Sequence, residues 1–332
     1  MSNPALTYRL AIIEMNSQAN ILANLAVIDA GVRAASERQA QLVVLPENAF
    51  CFGNQAHASQ YFEPLSDWAS QLARECGVYL LAGTLPCPFR PDGTPVSDGK
   101  FRQTSLLFDP TGETVARYDK IHLFKATVND KTGNYDEGRT FEAGNQLVVA
   151  DTELGKIGLM ICFDIRFSPL ALRLRQLGAQ MLTAPSAFTY QTGKAHWQTL
   201  LTARALDSQC LVIGAGQAGT HYFTNRQGLQ QRETWGHSLF VNAHGDVMNE
   251  GITLPPVNAA HLAPSKLLQA ATSWLAAPTS ESDAQYQPDA ARLLITDFNP
   301  QHQQQWRANI DLQASYRFAD AELMPASATG TP

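Results

Sequence analysis

Short apolar runs rich in Val, Ile and Leu alternate with stretches of helical periodicity along most of the chain, and this alternation constrains the fold more than any other feature. It predicts an α/β protein whose sheets are covered by helices. The first run is Leu10–Ile13. Asn20 can then cap a helix in which Ile21, Leu25, Ile28, Val32 and Ala35 form one apolar stripe. Further strands are predicted at Leu42–Leu45, Tyr79–Ala82, Ile157–Ile161, Met181–Ala184, Leu211–Ala215, Ser238–Asn242 and Leu293–Asp297. Helices are predicted at Asp67–Cys76, Pro169–Leu177 and Trp197–Gln209, with His196 and Trp197 as a helix start packed on the core. The segment Thr104–Asp119 has the form of a hairpin turned at Asp109-Pro110-Thr111-Gly112, and Glu153-Leu154-Gly155-Lys156 forms a second turn.

No Pro/Ser-rich linker and no internal period divides the series, and 332 residues at 45% hydrophobic can bury one large core. A single domain over 1–320 is therefore expected. The stretch at about 252–288, rich in Ala, Pro and Ser, is an insertion with a short helix from Ser265 to Trp274, and 321–332 form a flexible tail.

The net charge of −6 and a pI near 5.7, without a basic run, argue against a nucleic-acid surface and for a small-molecule partner. No apolar segment reaches the 18 residues of a membrane span, and the stretch before the strand-like residues at Tyr8 has no basic start and apolar run, so no signal peptide is expected. The five cysteines are widely spaced without a CxxC pair, which reads as a reducing, cytoplasmic setting. His122, His196, His221 and His237 lack HxH or HExxH spacing, so neither a metal site nor any other cofactor is expected. Gly214 and Gly216 form a lone GxG that marks close backbone packing.

Three residues stand at three strand ends. Glu47 follows Val43-Val44-Leu45-Pro46, Lys120 follows the strand ending at Asp119, and Cys162 ends the run Gly158–Ile161 just before a turn toward a helix. Taken singly, each also fits an ordinary role: a solvated loop carboxylate, a surface lysine, an inert buried thiol. Together they supply a proton carrier, a cation for a developing oxyanion and a nucleophile, with the Phe163 N–H behind the thiol as a further oxyanion donor.

The segments LVVLPENAF, RYDKIHLF and GLMICFDIRFSPLALRL resemble the three signatures of the nitrilase superfamily of carbon-nitrogen hydrolases, in their order. The later stretches LTAPSAF, GKAHWQTLLTARALDSQCLVIGAGQ and GHSLFVNAHGDV resemble the branch that holds the omega-amidases and deaminated glutathione amidases. The resemblance implies an αββα sandwich, two facing mixed sheets covered by helices, that assembles as a homodimer or higher homo-oligomer. It implies a catalytic Glu–Lys–Cys set at Glu47, Lys120 and Cys162, and a second glutamate at Glu137, seven residues before Gly144. In the resembling amidases an arginine matching Arg166 binds the substrate carboxylate, completed by an aromatic and a threonine from a later loop, here Phe188 and Thr192. Arg166 has an alternative role as a partner of Asp164 or a surface acid.

The activity so implied is hydrolysis of a small carboxylate-bearing amide, deaminated glutathione or an omega-amide of a 2-oxo acid, to acid and ammonia through a thioester. A carbamoyl-amide or nitrile hydrolase and a catalytically silent scaffold of the same fold are the alternatives.

Overall fold

The computed structural model describes residues 6–128, 133–225, 228–257, 265–275 and 285–315. The predicted tail at 321–332 and parts of the 252–288 insertion lie outside the described residues. The first third of the chain supplies β1 (Tyr8–Glu14), α1 (Ile21–Glu37), β2 (Leu42–Val44), α2 (Gln55–Ser59), α3 (Phe62–Cys76), β3 (Tyr79–Leu81), β4 (Leu85–Cys87), β5 (Arg102–Phe108) and β6 (Thr114–Asp119). The middle supplies β7 (Lys125–Thr127), β8 (Asn134–Asp136), β9 (Val149–Thr152), β10 (Gly155–Leu159), α4 (Ser168–Gln176), β11 (Met181–Thr183), α5 (Tyr190–Ser208) and β12 (Leu211–Gly214). Then follow β13 (Ala218–Asn225), β14 (Gly228–Trp235), β15 (Leu239–Val241), β16 (Val247–Met248), β17 (Gly251–Thr253), α6 (Lys266–Trp274), β18 (Arg292–Phe298), α7 (Pro300–Asn309) and α8 (Leu312–Ser315).

One sheet has the order β17-β18-β1-β2-β3-β5-β4 with β6 paired to β5, and the other has the order β16-β15-β12-β11-β10-β9. Side chains of successive strand residues point to opposite faces, and the first sheet obeys this throughout. Leu10, Ile12, Leu42, Val44, Tyr79 and Leu81 share a core with the second sheet, whereas Ala11, Ile13, Val43 and Leu80 pack with Leu25, Ile28 and Leu72 of α1 and α3. On the far side, Leu174 of α4 and Trp197, Leu201 and Ala205 of α5 close the second sheet. The architecture is the expected αββα sandwich. Buried on both faces, the runs Leu10–Ile13 and Leu42–Leu45 are wholly apolar.

Local chemistry explains the element boundaries. Asn20 does cap α1, its side chain accepting the Ala23 N–H at 3.1 Å, a bond worth about 1 kcal/mol. The turn after β5 is tied by Asp109, which accepts the Thr111 and Glu113 N–H groups at 2.8 and 3.0 Å. α3 begins five residues before the predicted Asp67 because Pro64 sits in its first turn, where the missing N–H is not needed.

The predicted helix start at His196-Trp197 is corrected: α5 begins at Tyr190, and Trp197 is a buried mid-helix residue. Gly193 makes that stretch a weak helix former, but a Cβ there would stand 2.2 Å from the Trp235 Cβ, so packing excludes a larger residue. The β13–β14 hairpin has no counterpart among the predicted strands. The expected helix of the insertion is α6, capped by Ser265, and it buries Leu267, Leu268 and Ala271 with α1 and α3 on the outer face of the first sheet.

The hairpin is anchored by His221, fully buried and stacked on Phe52 at 3.8 Å. Its Nδ1–H donates to the Ser17 carbonyl at 2.6 Å, and Nε2 accepts from the Thr234 hydroxyl at 2.6 Å. Burial, which outweighs the bond to Ser17, pushes its pKa from 6.5 down to about 3. The unfolded chain binds this proton near pH 6.5 and the native one only near pH 3, so the stability is intact above 6.5 and is lost as pH falls through that window. The full loss is on the order of 5 kcal/mol, of which about 2–3 kcal/mol falls between pH 6.5 and 4.5. Urea unfolding across this range should show that slope in the wild type and a shallower one in His221→Gln.

Candidate functional site

β2 and β3 are parallel, β5 is antiparallel to β3, and β6 is antiparallel to β5, so β2 and β6 end at the same sheet edge. That geometry brings Glu47 and Lys120 together although 73 residues separate them. The Lys120 Nζ donates to Glu47 Oε1 at 2.8 Å and stands 2.9 Å from Glu137 Oε2. The lysine side chain is fully inaccessible and Glu47 is 3% exposed, with Glu137 at 24% forming the open side.

An ammonium stripped of water is costly by several kcal/mol, and here two carboxylates compensate it. Burial alone would lower the Lys120 pKa, but Glu137 and Glu47 overcome it and hold the pKa well above the ordinary lysine value. Burial, only partly opposed by Lys120, raises Glu137, and the Glu47 charge adds to the rise. The seven-residue spacing from Glu137 to Gly144 has a physical basis. The Gly144 N–H donates to the Lys120 carbonyl at 2.8 Å, and a Cβ at Gly144 would stand 2.1 Å from the Asp119 carbonyl oxygen. Glu137 also accepts the Phe124 N–H at 2.8 Å, so its loop is fixed at both ends.

Cys162 comes from the facing sheet, three residues past β10. Its φ of +48° is unusual for a residue with a Cβ and costs of order 1–3 kcal/mol. This left-handed step turns the chain from extended Ile161 into a 3-10 turn at Cys162–Arg166 and presents the thiol at the strand end. The Cys162 N–H is taken by the Pro185 carbonyl at 2.8 Å, while the Phe163 N–H has no acceptor among the described residues. Burial, then the Glu47 carboxylate, pushes the thiol pKa well above its ordinary value; Lys120 and the Ala187 N–H oppose them. Burial and the Glu47 charge thus both favour the protonated thiol.

Asp164 fastens this turn. Completely buried, it accepts the Ile161 N–H at 2.9 Å and the Tyr118 hydroxyl at 2.7 Å on one oxygen. Its other oxygen accepts the His122 N–H at 3.0 Å and lies 2.7 Å from His122 Nδ1. One carboxylate thus joins the elbow to the strand and loop on either side of Lys120. The alternative that Asp164 pairs with Arg166 does not occur.

Arg166, Phe188 and Thr192 line the same cavity as Glu47, Glu137 and Cys162. The Arg166 guanidinium lies 5.2 Å from the Phe188 ring centroid and 3.4 Å from His196 Nδ1, with no described carboxylate in an ion pair with it. Burial lowers its pKa. Thr192 lies in the first turn of α5 rather than in a loop, bonded to the Thr189 hydroxyl at 2.8 Å.

Sequence reasoning passed over three residues at the site. Asp164 enters the sequence reading only as a partner for Arg166, though its position two past the thiol is an available signal. Asn48, held by Gln103 at 2.8 Å, and Arg232 also line the cavity. Arg232 sits on β14, whose GLQQRETW sequence has no apolar alternation to announce a strand.

Replacing Asp164 by Asn sets an N–H donor against the donors that now meet one carboxylate oxygen. Asp164→Asn is expected to lose about 2–4 kcal/mol of unfolding free energy in urea, whereas Asp297→Asn at the exposed pair with Arg9 should lose less than about 1 kcal/mol.

Comparison with known proteins bears on the family and the fold. Residues 9–267 match the family model described as carbon-nitrogen hydrolase. The chain is 39% identical over 245 residues to a deaminated glutathione amidase of Yersinia enterocolitica, covering 72% of this chain and 81% of that protein. It is 36% identical over 225 residues to omega-amidase NIT2-B of Xenopus laevis, covering 65% and 74% respectively. The crystal structure of the C. elegans NitFhit protein superposes with a TM-score of 0.70 at 26% identity, covering 94% of this chain and 65% of that longer one. With the family model spanning most of the chain and the sandwich fold in place, the protein belongs to the carbon-nitrogen hydrolase family of the nitrilase superfamily and is an enzyme of that kind.

Proposed function

We propose that the enzyme is an amidase that hydrolyses a small carboxylate-bearing amide, an omega-amide of a 2-oxo acid or deaminated glutathione, through a thioester on Cys162. The observation that carries this reading is the convergence of the Cys162 thiol, the buried Lys120–Glu47 pair and the Phe163 N–H, with Cys162, Glu47 and Phe163 lining one cavity.

Because burial and the Glu47 charge favour the protonated thiol, attack needs a base, and Glu47 takes its proton as Sγ adds to the amide carbonyl. The oxyanion is met by the Lys120 ammonium and the Phe163 N–H, both in place before the reaction, so little reorganisation is needed. Glu47 returns the proton to the nitrogen as the C–N bond breaks. A primary amide releases ammonia; deaminated glutathione, a secondary amide, releases the amine of its dipeptide. Water, deprotonated by Glu47, then attacks the thioester, and the acid and the free thiol result.

Glu137 holds Lys120 and is itself held by Phe124, so it orients the cation. Arg166 binds the substrate carboxylate through its planar fork, with Phe188 and Thr192 shaping the pocket beside it. The reading keeps the cytoplasmic setting and the homodimer or higher homo-oligomer expected from the sequence. Among the described residues no helix is long and apolar enough to cross a membrane.

The test is release of ammonia or amine from α-ketoglutaramate, α-ketosuccinamate and deaminated glutathione, beside a nitrile and a carbamoyl amide. Wild type is expected to turn over a carboxylate-bearing amide, and Cys162→Ala to fall by at least about 10³-fold. Turnover surviving in Cys162→Ala, or a folded wild type inert toward every amide, overturns the reading. Arg166→Gln should raise KM for the carboxylate-bearing amide by about 10- to 100-fold.

A further inference from the structure

The amidase reading uses one guanidinium in the cavity, and the cavity has two. Arg232, on β14, pairs across the hairpin with the buried anchor His221 and lines the same space as Cys162 and Arg166. Its Nη2–H donates to the Ala187 carbonyl at 2.8 Å, and its guanidinium lies 5.3 Å from the Phe52 ring centroid and 5.0 Å from that of Tyr135. Its Nε is buried and has no described partner, and neither Glu47 nor Glu137 forms an ion pair with it. A half-buried guanidinium that keeps unused N–H groups at a cavity wall is poised for an anion, because desolvation without a counter-charge is unfavourable. Its two flanking rings fix the plane of the fork.

The positions of the two arginines say where such an anion would sit. Tyr135 packs on Phe124 at 5.4 Å, Phe124 on Phe163 at 5.2 Å, and Phe163 lies 5.8 Å from the Arg166 guanidinium. Arg232 and Arg166 therefore stand at the two ends of one run of aromatic rings, and Cys162 adjoins Phe163 within it. A second set of contacts links the same groups. The Ala187 N–H faces the thiol, the Ala187 carbonyl holds Arg232, and the next residue, Phe188, stacks on Arg166. With the acyl carboxylate of an amide on Arg166, Arg232 is the cavity guanidinium left for an anionic group on the nitrogen side.

We propose that Arg232 is a second carboxylate-binding residue, and that the preferred substrate is a secondary amide with one carboxylate on the acyl part, held by Arg166, and another on the departing amine, held by Arg232. This rests on the amidase reading and chooses within it. An amino acid or short peptide leaving group with a free C-terminus fits, and a primary omega-amide leaves Arg232 unused.

The experiment compares kcat/KM for deaminated glutathione and for the same compound with its C-terminal carboxylate converted to a neutral amide, in wild type, Arg232→Gln and Arg232→Lys. The wild type should favour the free acid by about 10- to 100-fold, mostly through KM. Arg232→Gln should collapse that ratio toward one, and Arg232→Lys should restore part of it. A purely structural role for Arg232 lowers both substrates together and leaves the ratio intact, which overturns the proposal. So does a wild type that treats the two compounds alike, an outcome that needs no variant to fold. Turnover of α-ketoglutaramate without preference for the free acid defeats the Arg232 subsite and spares the amidase reading, whereas inactivity toward every amide defeats both.

Discussion

A lysine ammonium with no access to water is tolerable only while carboxylates surround it, and the organisation of this site follows from that requirement. Lys120 is buried at the edge of one sheet with Glu47 on one side and Glu137 on the other. Their loops must stay in register to within the length of a hydrogen bond. The Gly144 contact with Lys120 and the Phe124 bond to Glu137 serve that end. Glu137 and Glu47 hold the Lys120 pKa up, while burial, with Glu47 second, does the same for the Cys162 thiol.

The facing sheet contributes the strained part. Cys162 holds a left-handed backbone angle that its environment must enforce, and the Asp164 carboxylate provides much of that enforcement. By accepting from Tyr118 and His122, on either side of Lys120, it also ties the elbow to the sheet that carries the cation. The placement of Cys162 relative to Lys120 is thus set by a buried polar network as well as by apolar packing, which fixes geometry more sharply.

Strands buried on both faces leave a plain mark in the chain, which is why β1, β2, β3, β10, β11, β12, β15 and β18 are legible to within two residues at each end. The β13–β14 hairpin was not. It lies off both sheets, its residues are largely polar, and its anchors are single long-range contacts such as His221 on Phe52. With the hairpin went Arg232, a residue that nothing local distinguishes from a surface arginine. The start of α5 was obscured for a related reason: Gly193 lowers helix propensity locally, while Trp235, 42 residues away in sequence, is what requires it.

The sequence by itself determined the layered α/β class, the three strand ends that hold Glu47, Lys120 and Cys162, and through its motifs the family, because period-two burial and short signatures are local properties of a chain. Only the tertiary structure decided which charges meet. That Glu137 reaches Lys120, that Asp164 binds Tyr118 rather than Arg166, and that Arg166 and Arg232 line one cavity are consequences of sheet order and loop closure over tens of residues. Electrostatic pairing depends on distance in space, and separation along the chain carries no record of it.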